Sequence, residues 1–284
     1  MTATVSRHYS PGPKDEEWAG HLGDRVAKTI GELERFPHMI DSVFNNALLH
    51  FGARCGIDPV ADRLETWEAA VNALQVGSAM FATTAGTEGT VQCVINRETR
   101  TLPLEGPAGF AGLGNWLTTF WLAVACRDKK RMTELCEIPL DRLSRRGYDD
   151  YALHWVDTLQ TYWLRRPGLV EKLTRTMEMS APDAVTEAPV DLLQEVLYPP
   201  INLFYRFVTN DPEGFNQALE EGLELHKRYW SADEDREDDP AGHVALGLLA
   251  VTCFAYDGGI PIEVESGYLP RHLITRDWVG EFPT

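Results

Sequence analysis

LLQEVLYPPINLFYRFVTNDPEGFNQALEEGLELHKRYW, residues Leu192 to Trp230, reads as two helices folded back on each other at Asn210-Asp211-Pro212. Apolar residues recur at helical spacing on both sides of that joint. Asp211 is suited to cap the free N–H groups of the second helix, and Pro212 to fill its first turn. The same pattern repeats upstream. Tyr148 to Leu164 and Leu169 to Met179 form a second pair, joined at Arg166-Pro167-Gly168. An apolar helix from Asn115, carrying Trp116, Phe120, Leu122, Val124 and Ala125, meets a tight junction at Arg127-Asp128. Met132, Leu135 and Leu140 line the element after it. Helical hairpins of this size, about 30 to 45 residues each, are the size of solenoid repeats, though no repeat-level identity links them. The expected fold is all-α: an array of antiparallel helical hairpins, solenoid-like or an irregular bundle.

Outward from these pairs, the signals weaken. Residues 1–14 are polar, with Pro11 and Pro13, and read as a flexible N-terminal arm. Residues 15–284 read as a single helical domain. Its first helix starts near Asp15 and sets Trp18, Leu22, Val26, Ile30 and Leu33 on one face until Pro37 interrupts. A second helix, with Phe44, Leu48 and Phe51, is expected to end near Gly52 to Gly56. Asp58-Pro59 is then expected to open a third, carrying Leu64, Trp67, Ala70, Val71, Leu74 and Met80. One β signal stands out: a small β-hairpin insertion at residues 90–104. Thr90 to Ile95 is rich in β-branched residues, Asn96 to Thr99 is turn-like, and Thr101 to Leu104 returns as an edge strand because Pro103 cannot donate. The glycines 106, 109, 112 and 114 follow an edge hairpin rather than a buried strand, so they are no dinucleotide fingerprint. The last helix, about His243 to Tyr256, ends at Gly258-Gly259.

Of 284 residues, 44 % are hydrophobic, enough for a sizeable core. No apolar run reaches the length of a membrane span, and the N-terminus shows no apolar leader, so a cytoplasmic protein is expected. The five cysteines are an odd number, widely spaced and without a Cys-x-x-Cys pair, which argues against a disulfide framework and a zinc site. A net charge of −17 repels nucleic acid and anionic membrane and draws cationic partners. The charge is uneven: Arg127 to Arg175 is mildly basic, and the chain after Glu178 is acidic.

Catalytic and metal patterns are missing. No His-x-x-x-His occurs, and Glu224 and His226 fall on different faces of one helix, so no metal and no cofactor is expected. Asp149-Asp150 lacks the third Asp of a diphosphate-binding cluster, where Leu153 stands. Asn210-Asp211 begins a second such motif, but Gly214 and Ala218 break it. Ser78 and Ser266 lack the nucleophile elbow. Trp116, Trp121, Trp155 and Trp163 sit in apolar company and read as core. An aromatic pocket between helices would suit a small-molecule enzyme or binder, the alternative reading. No catalytic residue can be named.

The run DEDREDD, Asp233 to Asp239, lies in an acidic loop at 231–240. Its carboxylates Asp233, Glu234, Asp235, Glu237, Asp238 and Asp239 can make charge-assisted hydrogen bonds to a basic partner. Tyr229 and Trp230 beside it are the residue types that anchor interfaces.

Three loose patterns carry a family resemblance over roughly residues 60 to 275. They are Gly106-Pro107 before NWLTTFWLAVACRDKKRMTELCEIP, DPEGFNQALEEGLELHKRYW, and the tail DGGIPIEVESGYLP. The chain resembles the immunity protein 49 family, found beside polymorphic toxins in bacteria. The family is mainly helical, and its motif residues here, Trp116, Arg127, Asp128, Asp211, Ser266, Tyr268 and Pro270, read as structural. The resemblance implies a cytosolic antidote that binds and neutralises a cognate or neighbouring toxin domain by stoichiometric contact, without catalysis. The acidic surface points to a basic toxin, such as a nuclease, whose active site it would occlude, and the net charge to no direct nucleic-acid contact. Nothing in the sequence specifies the oligomeric state.

Overall fold

The computed structural model describes residues 3–282 and residue 284. In chain order the elements are β1 (Ala3–Val5), α1 (Asp15–Gly31), α2 (Ile40–Ile57), α3 (Leu64–Ala82), β2 (Thr90–Ile95), β3 (Glu98–Pro103), α4 (Leu113–Ala125) and α5 (Lys129–Cys136). Then follow α6 (Asp150–Trp163), α7 (Leu169–Met179), α8 (Val190–Leu192), which runs into a π-helical turn at Leu193–Leu197, and α9 (Pro199–Val208). The chain closes with α10 (Pro212–Trp230), α11 (Glu234–Glu237), α12 (Leu246–Asp257), β4 (Val264–Ser266) and α13 (Arg271–Ile274). The fold is predominantly all-α, as expected.

The expected hairpins are present as α4–α5, α6–α7 and α9–α10. They do not stack in a row. Helices α4 and α12 are apolar nearly all round and lie in the middle, with α12 against both α4 and α9, and α4 against α3, α5 and α6. A helix without a polar face has no solvent side to offer, so the array closes into an irregular bundle. Through its centre runs a chain of aromatic rings: Trp121 to Trp155 at 5.9 Å, Trp155 to Phe204 at 5.3 Å, Phe204 to Tyr162 at 5.2 Å and Tyr162 to Phe254 at 5.4 Å. One core cluster extends from Val5 to Ile274.

The insertion forms an antiparallel pair, Thr90 opposite Pro103 and Ile95 opposite Glu98. Asn96 and Arg97 both have positive φ, 51° and 65°, which the two-residue mirror-image turn requires.

Several boundaries differ from expectation. Helix α2 ends at Ile57, one residue past the expected stretch, but Gly52 and Gly56 lie inside it. These glycines admit neighbours rather than end the helix: a Cβ on Gly52 would run into the Pro240 carbonyl, and one on Gly56 would lie 2.6 Å from His243 Nδ1. Helix α3 begins at Leu64, six residues after Asp58. The Asp58 carboxylate instead closes the preceding loop, accepting from the N–H groups of Asp62 and Arg63 and from Thr66 Oγ1 at 2.6 Å. Trp18, expected in the core, is 42 % exposed.

The expected arm also differs. Residues 1 and 2 lie outside the described residues, and from Ala3 onward the segment is docked. Strand β1 pairs in parallel with β4, Ala3 opposite Val264 and Val5 opposite Ser266. Arg7 Nη1 donates to the carbonyls of Cys55 and Gly56 at 3.1 and 3.0 Å, and the Tyr9 ring stacks on His243 at 3.9 Å. A three-residue strand whose partner is distant in the chain leaves no local pattern to read.

Candidate partner interface

The surface is built on α10. Asn210 takes φ of 53°, turning the chain, and Asp211 Oδ1 then accepts from the Gly214 N–H at 3.0 Å. Arg206 Nη1 donates to the other Asp211 oxygen at 2.9 Å. The Gly214 N–H first, and then Arg206, hold the Asp211 carboxyl below its ordinary range. One face of α10 is buried through Phe215, Ala218, Leu219, Gly222, Leu223 and His226. The other leaves Glu220, Glu221 and Glu224 exposed along a shallow groove with Gln217, Leu225 and Arg228. This acidic face was not singled out from the sequence, although carboxylates three and four apart on one helix are a legible signal.

After Trp230 the acidic run does not remain a plain loop. Asp233 Oδ1 accepts from the Arg236 N–H at 2.9 Å, and this cap starts the short helix α11. Asp239 caps the following turn, accepting from the Ala241 N–H at 2.9 Å. Arg236 bridges to Asp191 at 2.9 Å and to Asp233 at 3.2 Å. Two of the six expected carboxylates therefore serve the backbone. The other four, Glu234, Asp235, Glu237 and Asp238, are exposed and have no ion-pair partner among the described residues.

The two expected aromatic anchors are half-buried. The Arg236 guanidinium stands over the Tyr229 ring at 4.1 Å. Trp230 lies against Gly242, where a Cβ would come within 2.8 Å of the indole, and beside His226. Its indole Nε1 is buried without a partner among the described residues.

Of the motif residues, Asp211 caps α10 as described, and the others serve the fold rather than the acidic face. Trp116, fully buried, donates from Nε1 to the Leu135 carbonyl at 2.9 Å. Arg127, at φ of 55°, donates to the carbonyls of Leu273 and Ile274 at 2.7 and 2.8 Å and to Asp257. Asp128 caps α5 through the Arg131 N–H at 3.0 Å. Ser266 Oγ accepts from the Tyr268 N–H at 3.2 Å, and buried Tyr268 accepts from the His8 N–H at 2.8 Å. Pro270 leads into α13.

Burial raises the thiols of Cys55, Cys93, Cys126, Cys136 and Cys253 above their ordinary value, Cys253 to about 11. Every carboxylate with a resolved shift is lowered. Asp149, for instance, is buried, but the N–H groups of Thr186, Glu187 and Ala188 outweigh that burial. An aromatic-walled cleft of about 740 Å³ does exist, lined by Tyr162, Trp163, Phe207 and Phe254. Its one carboxylate, Asp257, is engaged by Arg127 and Arg276. Among the described residues no group of three or more His, Cys, Asp or Glu is placed to hold a metal, and no helix is long and apolar enough to cross a membrane.

Residues 58–273 match the family described as Immunity protein 49. No curated protein and no solved structure matches the chain. The chain belongs to the immunity protein 49 family.

Proposed function

We propose that this member of the immunity protein 49 family neutralises a toxin domain by stoichiometric occlusion, through the acidic surface formed by α11 and the outer face of α10. Family membership implies a cognate toxin as partner. The observation that carries the site is the set of four exposed carboxylates at Glu234, Asp235, Glu237 and Asp238, unpaired among the described residues; Glu220, Glu221 and Glu224 add exposed negative charge earlier on α10. Unpaired exposed carboxylates cost nothing to desolvate until a partner arrives. They speed encounter with a basic surface and then form charge-assisted hydrogen bonds to Arg and Lys. A toxin with a basic substrate groove, as in a nuclease, is the partner such a surface complements. The capped frame of Asp233, Arg236 and Asp239 holds the four carboxylates at a set place, which lowers the entropy lost on binding.

The test begins with capture from native lysate at low salt, release by high salt and identification of the eluate by mass spectrometry. The eluted toxin domain is then titrated against the quadruple variant Glu234→Lys, Asp235→Lys, Glu237→Lys, Asp238→Lys. The expected result is a loss of affinity of roughly a hundred-fold and a flatter salt dependence. Unchanged affinity with unchanged salt dependence rules out the acidic surface as the contact.

A further inference from the structure

A cleft of about 820 Å³ lies elsewhere, between the β1–β4 ribbon, the turn after α12, α13 and the Pro59-Val60 loop. Its walls are apolar, with Val60, Tyr256, Ile260, Ile262, Leu269 and Ile274 among them. Val60 and Tyr256 are 41 % and 38 % exposed, two of the few large apolar side chains that the fold leaves in water. Size and lining are those of a small-molecule site.

Two cations also line it, Arg7 and Arg271, and neither has a carboxylate within 4.0 Å among the described residues. Arg7 is the informative one because it is half-buried. A cation withdrawn from water is normally matched by an anion. Here Nη1 is fixed on the Cys55 and Gly56 carbonyls at the end of α2, while Nε and Nη2 meet no acceptor among the described residues. The fold has made room for this side chain. It lies against Gly267, where a Cβ would stand 2.7 Å from the Arg7 Cδ. Burial lowers the Arg7 pKa from its ordinary value, and no carboxylate is among the groups that counter it. The one carboxylate on the wall, Glu265, is exposed and beyond ion-pair reach of both arginines.

We propose that this cleft binds a small amphiphilic monocarboxylate, its apolar chain along Val60, Ile260, Ile262 and Leu269 and its carboxylate on the free N–H donors of Arg7, with Arg271 at the rim. A single anionic head fits the charge, since Glu265 offsets one of the two cations and a polyanion would face mostly apolar wall. The site is separate from the toxin-binding surface and does not depend on that reading.

The probe is dodecanoate, titrated into the full-length protein by isothermal calorimetry, with dodecylammonium as a cation of the same chain length. One saturable site is expected for dodecanoate, binding at least roughly ten-fold tighter than dodecylammonium. Arg7→Met keeps the apolar stem and should weaken dodecanoate by roughly ten-fold or more. Val60→Trp acts at an exposed lip, fills the cleft and should abolish binding with the thermal midpoint unchanged. If Arg7→Met proves unfolded by circular dichroism, Val60→Trp and the dodecylammonium comparison decide the matter. The proposal is overturned if dodecanoate shows no saturable site, if dodecylammonium binds equally well, or if Val60→Trp binds dodecanoate like the unaltered protein.

Discussion

Acidification from about pH 7 to pH 5 should destabilise this protein before its carboxylates begin to protonate, because of three histidines. His50, His226 and His243 are 9 %, 4 % and 3 % exposed. Burial keeps each imidazole neutral, pulling its pKa from 6.5 to about 4, and at His50 the charge of Arg54 adds to the effect. The hydrogen bonds agree with neutral rings. His226 Nε2–H donates to the Gly242 carbonyl at 2.9 Å, and His243 Nδ1–H to the Gly52 carbonyl at 3.2 Å. His243 Nε2 and His50 Nδ1 are buried with no partner among the described residues, so a second proton there would have no acceptor.

A folded pKa below the unfolded one means that the unfolded chain takes up protons first as pH falls. The stabilisation is complete above 6.5 and is lost on the way to 4. The full swing is roughly 3 kcal/mol per histidine, at about 1.4 kcal/mol for each tenfold step in proton affinity. At pH 5 roughly 2 kcal/mol of it is gone from each. Three independent groups would lose roughly 6 kcal/mol, within the range of a whole domain's stability. The three do not titrate wholly independently, because His8 stands near His226 and His243 and its charge opposes theirs. The lowered carboxylates Asp15, Asp128, Asp149 and Asp211 act with the same sign, but only below their ordinary value of 3.8. The window from 6.5 to 4 therefore belongs to the histidines. Urea unfolding followed by tryptophan fluorescence at about pH 7, 6 and 5 should show the midpoint falling with an unchanged slope. His226→Gln should flatten that dependence by about a third. A midpoint that holds constant between pH 7 and 5 would refute the buried, neutral state of these rings.

Two further predictions concern packing. Arg127→Ala leaves the Leu273 and Ile274 carbonyls without their donor and should cost roughly 2–4 kcal/mol in urea unfolding. Arg127→Lys should recover less than half of that, because an ammonium cannot span both carbonyls and Asp257. Gly52→Ala drives a methyl group into the Pro240 carbonyl and should cost roughly 1–3 kcal/mol, whereas Gly20→Ala, which meets nothing within 4 Å, should stabilise α1 by roughly 0.5–1 kcal/mol. Equal effects at the two glycines, read from thermal midpoints, would contradict the close approach at Gly52.

What could be read in advance was local. The Asn210-Asp211-Pro212 joint, the Arg127-Asp128 junction and the 90–104 hairpin each carry their own turn chemistry, and the structure places turns at all three. What failed was set by distant partners. Helix α2 does end one residue past Gly56, but the packing role of Gly52 and Gly56 was hidden because the residues that need their missing side chains, Pro240 and His243, lie far along the chain. Docking of β1 depends on β4, and the exposure of Trp18 on which residues the α1 face meets. The acidic run was legible as a charge pattern. The split between the carboxylates that cap and those that stay unpaired was not, because it turns on where the short helix α11 and the turn after it begin.

The reach of the family match bears on how the acidic surface is held. Residues 58–273 contain the whole of that surface, yet much of what fixes it lies outside. The Pro240–His243 turn, which follows the acidic run directly, rests on Gly52 and Gly56 of α2 and under the Tyr9 ring. Tyr268 accepts from the His8 backbone, and Gly267 gives passage to Arg7. Beyond the matched region on the other side, Trp278 Nε1 donates to the Ala61 carbonyl at 2.7 Å and Thr284 Oγ1 to Asp128 at 3.0 Å. The residues flanking the family pattern thus act as its clamp. A substitution at Tyr9 or Gly56 would shift the turn that positions Glu237 and Asp238 without altering any residue of the acidic run. Under the proposed contact through α11, partner preference would be tunable from α2 and the β1 segment, through the angle at which α11 is presented rather than through its charges.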